Sequence, residues 1–125
     1  MSEPPTLDVG ADPVAAVAAA VRTLSAGGVV VLPTETVYGV AALPSCRNAI
    51  EEVFRRKGRP PERLVAVLVA DGNQARALVE TDDRFERLAT AFWPGPLTGS
   101  GAARRPRCRS PRCTDFGGSL AGCLP

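Results

Sequence analysis

Apolar patterning begins at residue 13. Asp12 followed by Pro13 reads as a helix N-cap with proline at the first helical position. Val14, Val17, Ala18, Val21 and Leu24 then recur at helical spacing and predict one apolar face. Gly27 and Gly28 end that helix. Residues 29–32, VVVL, form a continuous run between Gly28 and Pro33. Its shortness and lack of alternation predict a strand buried on both faces. Residues 33–43, PTETVYGVAAL, start too polar to continue the strand. They read as a loop at its end, then an extended or turn segment around Tyr38 and Gly39. Ser45 predicts the cap of a helix reaching Arg56, with Ile50, Val53 and Phe54 inward. Residues 57–61, KGRPP, stop it. Residues 64–69, LVAVLV, predict a second buried strand. Asp71 caps a helix over 72–80, and Asp82 or Asp83 another over 84–92. Residues 93–98, WPGPLT, form a rigid turn leading into a further strand. Helix, strand, helix, strand, helix, helix is the order of an α/β architecture.

The character then changes. Residues 99–125 are mostly Gly, Arg, Ala, Pro, Ser and Cys, without apolar period. That composition is what a GC-rich gene read out of frame near codon 98 gives, the alternative being a disordered basic tail. Three segments follow: a disordered N-terminal tail over 1–12, an incomplete domain over 13–98, and a disordered or frameshifted tail over 99–125.

Composition narrows the chemistry. At 125 residues the chain is one domain or a piece of one, and 45% hydrophobic content suffices for a core. The net charge of +2 is misleading. Five arginines and one aspartate make residues 99–125 +4, which leaves residues 1–98 at −2. Overall pI therefore implies no nucleic-acid surface on the body. No histidine occurs, which removes Ser-His-Asp and Cys-His nucleophiles and the commonest metal ligand. Cys46, Cys108, Cys113 and Cys123 make no CxxC pair, so no metal site is expected. The acidic, Pro-rich N-terminus lacks the basic start of a signal peptide, and no run is long enough to span a membrane. The expected location is cytoplasmic.

Three segments can carry chemistry. Residues 33–39, PTETVYG, put Thr34, Glu35, Thr36 and Tyr38 on a loop after a strand, where α/β sheets bind ligands. Hydroxyls there suit an amino-acid or phosphate group, although the same residues also make a self-satisfied polar turn. Residues 57–60, KGRP, place Lys57 and Arg59 on a loop after a helix. An ammonium and a guanidinium fork suit polyphosphate, and they equally complement a helix C-terminus. Lys57 is the sole lysine against fourteen arginines, by chemical need or by chance. WPGPLT reads as a ligand-side turn or a structural corner around Trp93. Neither GxxxxGK[ST] nor GxGxxG occurs, which excludes a P-loop and the dinucleotide fingerprint.

Taken together and in order, PTETVYG, KGRP, the VLV strand and WPGPLT resemble the YrdC-like family of L-threonylcarbamoyladenylate synthases over residues 13–98. The resemblance implies a twisted mixed α/β sheet with flanking helices around a concave cavity. It implies a nucleotidyltransferase that condenses L-threonine with bicarbonate or CO2 and takes AMP from ATP, with Mg²⁺ carried by the nucleotide. The product would serve partner proteins that modify tRNA. Carried over by position, Thr34, Thr36 and Tyr38 would contact L-threonine. Lys57 and Arg59 would be the catalytic, ATP-binding pair, with Thr98 near the cavity. Two departures stand out. Arg63 and Leu64 occupy the place of a common Pro-Leu pair, and the later Ser-x-Asn motif does not follow Thr98. The truncated chain is therefore expected to be weakly active or inactive. The alternatives are a noncatalytic module for double-stranded RNA or tRNA, and the carbamoyl transfer of hydrogenase maturation. The latter is disfavoured by the lack of zinc-finger-like cysteines.

Overall fold

A computed structural model describes residues 3–60, 63, 65–102, 104 and 119–123. Helix α1 (Pro13–Ser25) starts where the Asp-Pro pair predicts, with the Asp12 carboxylate accepting from the Ala15 amide at 2.9 Å. Beyond its last residue, Ser25, the chain turns at Gly27, whose φ of 79° favours glycine. The Gly27 amide donates to the Leu24 carbonyl at 2.9 Å and the Gly28 amide to the Thr23 carbonyl at 2.8 Å. This pair of bonds satisfies carbonyls that would otherwise be orphaned. The expected apolar face is not buried. Val14 is 78% exposed, and Val17 and Val21 are exposed as well. Helix α1 packs on β1 (Val30–Leu32), and three residues of strand cannot cover the valines of a 13-residue helix.

Strand β1 pairs antiparallel with β2 (Gly39–Ala41), Val30 opposite Ala41 and Leu32 opposite Gly39. Burial on both faces does not occur, because Val31 is 67% exposed. Side chains alternate along a strand, and this two-stranded ribbon has an open face. The PTETVY loop is thus a hairpin connection.

Helix α2 (Arg47–Lys57) begins two residues after the expected Ser45 cap. Cys46 holds the cap position without a side-chain bond. Ala49, Val53 and Phe54 are buried and Ile50 is half-buried. Ala49 completes the inward face that spacing assigned to the larger residues.

Strand β3 (Val67–Val69) is shorter than the 64–69 run, whose Leu64 lies outside the described residues. It buries Val69 but leaves Leu68 open, so it too is covered on one face. Helices α3 (Gly72–Leu78) and α4 (Asp83–Phe92) start at their expected aspartates. Asp71 accepts from the Gln74 amide at 2.8 Å, and Asp82 from the Phe85 amide at 2.7 Å. Helix α3 stops two residues short of the expected end, because Val79 has turned extended.

The expected strand after WPGPLT is β4 (Gly95–Gly101), which begins inside that motif. It pairs antiparallel with β5 (Ser119–Cys123), which also runs parallel to β3. The sheet order is β3-β5-β4. Segments of the 99–125 stretch thus enter regular structure: Gly99, Ser100 and Gly101 lie in β4, and β5 sits between two strands. The intervening residues 105–118 lie outside the described residues. Val69 and Ala75 form a core packed by Val67, Phe85 and Trp93. Phe85 and Trp93 meet edge to face, ring centres 5.6 Å apart. The fold is mixed α/β as expected, with the described strands divided between two sheets.

Candidate functional site

The loop between β1 and β2 is organised by one hydroxyl. Thr34 Oγ1 donates to the Val37 carbonyl and accepts from the Val37 amide at 3.2 Å and the Thr36 amide at 3.4 Å. Its oxygen also lies 3.4 Å from Thr36 Oγ1. Threonine closes such a turn because its short hydroxyl reaches backbone two and three residues on. Thr34 is half-buried, whereas Glu35, Thr36 and Val37 are exposed. Tyr38 is 78% exposed at the loop's end. The structure therefore brings Thr34 and Thr36 together, and spends Thr34 on the loop itself.

The second loop follows from how α2 ends. Gly58 has φ 58°, a left-handed conformation that suits glycine. Its amide donates to the Arg55 carbonyl at 3.2 Å, and the Arg59 amide donates to the Phe54 carbonyl at 3.1 Å. This closure fixes the backbone of Arg59 against the last helical turn. Lys57 is the last helical residue, so the Lys-x-Arg pair straddles a fixed turn.

Four cations crowd that turn, and one carboxylate sorts them. Arg55 Nε donates to Glu52 Oε2 at 2.7 Å, and Arg56 Nε to Glu52 Oε1 at 2.6 Å. The Arg55 hydrogen bond, then that of Arg56, holds Glu52 down at about 2. Bonding to the same carboxylate raises Arg55 above its ordinary value. Among the described residues, Lys57 and Arg59 make no ion pair, and both are exposed. Sequence spacing singled out Lys57 and Arg59 and missed Glu52. The signal was present as Glu at i with Arg at i+3 and i+4.

Thr98 occupies the exposed face of β4, opposite Gly122 in the ladder. Among the described residues, no hydrogen bond or ion pair joins the Thr34–Tyr38 loop to Lys57, Arg59 or Thr98. Nor does any group of three or more Cys, Asp or Glu there form a metal-ligating cluster. No described helix is long and apolar enough to cross a membrane.

Known proteins are similar to this chain. Threonylcarbamoyl-AMP synthase of Pyrococcus abyssi is 42% identical over 73 residues, 58% of this chain and 22% of that protein. The Marinobacter nauticus protein of the same name is 38% identical over 78 residues, 62% of this chain and 41% of that one. The chain thus spans less than half the length of these curated relatives. The solved structure of P. abyssi Sua5 complexed with L-threonine superposes with a TM-score of 0.76 at 31% identity. That superposition covers 85% of this chain and 31% of the Sua5 chain. Escherichia coli YciO superposes equally well, at 0.76 over 89% of this chain and 54% of its own. Its 20% identity makes that a likeness of fold. The Sua5/YciO/YrdC family model, described as telomere recombination, matches residues 22–116 and so runs past Thr98, where the motifs stop. With more than half its length inside that match, the chain belongs to the Sua5/YciO/YrdC family.

Proposed function

We propose that this chain carries the amino-acid and nucleotide loops of a threonylcarbamoyl-AMP synthase. The observation that carries the reading is the pair of cations Lys57 and Arg59, which among the described residues make no ion pair, on a rigid turn whose Arg55 and Arg56 share the Glu52 carboxylate. A fixed ammonium and guanidinium fork suit a polyphosphate anion. The reading is supported by relatives named for that reaction and by a similar solved chain that binds L-threonine.

In this reading the Thr36 hydroxyl and Tyr38 contact L-threonine. The amine takes up CO2 from bicarbonate to give a carbamate. A carbamate oxygen then bonds to the α-phosphorus of ATP as the bond to the departing pyrophosphate breaks. Both reactants are anionic and the nucleophile is weak, so the protein contributes positioning and charge neutralisation, for which no histidine is needed. Lys57 and Arg59 supply the positive charge. Mg²⁺ suits the site only as a companion of the nucleotide, since the described residues offer no carboxylate cluster to hold it. Delivery of the product to tRNA-modifying partners completes the role.

The test is pyrophosphate release by the full chain that requires both L-threonine and bicarbonate, alongside calorimetric titration with L-threonine and with Mg-ATP. Binding of both ligands, with weak or no turnover, is the expected result. Binding of neither sinks the reading.

A further inference from the structure

This inference rests on the synthase reading and deepens its amino-acid side. The hydroxyl of Thr34 has one proton, and that proton goes to the Val37 carbonyl. The two lone pairs of that oxygen are taken by the Thr36 and Val37 amides, which leaves the Thr36 hydroxyl, 3.4 Å away, as no more than a long contact. The Thr36 hydroxyl therefore keeps both its proton and its lone pairs for another partner. The amides of Thr36 and Val37 converge on the same Thr34 oxygen, so the backbone on both sides of the exposed Thr36 side chain is tied to it.

We propose that Thr34 is a positioning residue, which fixes the loop and so presents the Thr36 hydroxyl, unspent, to the polar groups of an amino-acid ligand. Thr34 itself makes no ligand contact. Valine at position 34 keeps the shape and deletes the hydroxyl, while serine keeps the hydroxyl and deletes the methyl. A residue that acted by packing would respond to these two in the opposite order.

The experiment measures two quantities on the full chain. Amide hydrogen exchange at Val37 is read without ligand, and L-threonine affinity is read by calorimetry. In Thr34→Val, Val37 protection should fall and the L-threonine Kd should rise, each by about tenfold, for the two to three hydrogen bonds lost. Thr34→Ser should stay within about threefold of the parent chain on both, since the serine hydroxyl restores the same bonds. Circular dichroism checks that both variants fold, and if valine does not, the serine result decides alone. Unchanged affinity in Thr34→Val, or a serine variant that loses affinity despite parental exchange, overturns the proposal. If the parent chain does not bind L-threonine, the synthase reading falls instead. Val37 exchange then decides whether Thr34 organises the loop.

Discussion

Arg76 on α3 grips Glu86 on α4 through one edge of its guanidinium, Nε to Oε1 at 2.8 Å and Nη2 to Oε2 at 2.6 Å. The same guanidinium reaches Asn73 Oδ1 at 2.8 Å. The Arg76 hydrogen bond, with a second from Thr81, holds Glu86 at about 2, below its ordinary value of 4.5. A carboxylate depressed in the folded state stabilises the fold fully above its unfolded value and loses that contribution as pH falls through the folded one. Stability should therefore drop between about pH 5 and pH 2, with Glu52 adding to the slope. Glu86→Gln should lower the melting temperature slightly at pH 7 and flatten the acid limb. Thermal melts across that range check both. An unchanged acid limb in the variant would assign the transition to other carboxylates.

Gly58 stands at the hinge of the Lys57–Arg59 turn with φ 58°. Nothing lies within 4 Å of where a Cβ would point, so the cost of a side chain there is conformational and not steric crowding. Gly58→Ala should destabilise the chain by about 1 kcal/mol and re-aim the Arg59 backbone. Denaturant unfolding measures the first effect. A loss of Mg-ATP affinity larger than that of a stability-matched core variant measures the second.

Local chemistry made the helix starts legible. Asp12, Asp71 and Asp82 each cap the helix that their position predicts, because one carboxylate and one amide three residues on are enough. Tertiary cover was not legible. Residues 29–32 and 64–69 read as strands buried on both faces, yet Val31 and Leu68 are exposed. A run of apolar residues states what a strand can bury, not whether a neighbour covers it. The α1 valines make the same point. Residues 119–123 gave no strand signal, and their pairing with β3 and β4 is long-range. Of the site, PTETVYG and KGRP were found as motifs, but the inward use of the Thr34 hydroxyl and the pairing of Glu52 with two arginines required geometry.

Glu52 divides the cations of α2 into used and unused, which a charge-removal series should expose. Lys57→Ala and Arg59→Ala should each weaken Mg-ATP binding by about tenfold, as expected for a charge-assisted contact worth roughly 1.5 kcal/mol. Arg55→Ala removes a cation already held, together with Arg56, by the Glu52 carboxylate, and should change affinity by less than about threefold. Raising salt should weaken the parent chain more than either of the first two variants. Equal losses in all three variants would mean that the helix end acts as a diffuse basic patch.

Trp93 closes the WPGPLT turn with its indole Nε1, which donates to the Leu97 carbonyl at 2.7 Å, while its ring meets Phe85 edge to face. The bond is partly buried, so losing it leaves a carbonyl with poor access to water. Trp93→Phe keeps an aromatic edge against Phe85 and should cost roughly 1–2 kcal/mol. Val69→Ala empties part of the core cluster beside it and should cost roughly 1–3 kcal/mol. Both residues border the same cluster, so their effects should not add. Chemical unfolding of the two single variants and the double variant measures the coupling. Strict additivity would mean that the turn and the β3 core are independent, and that β4 is held in place by its ladder to β5 alone.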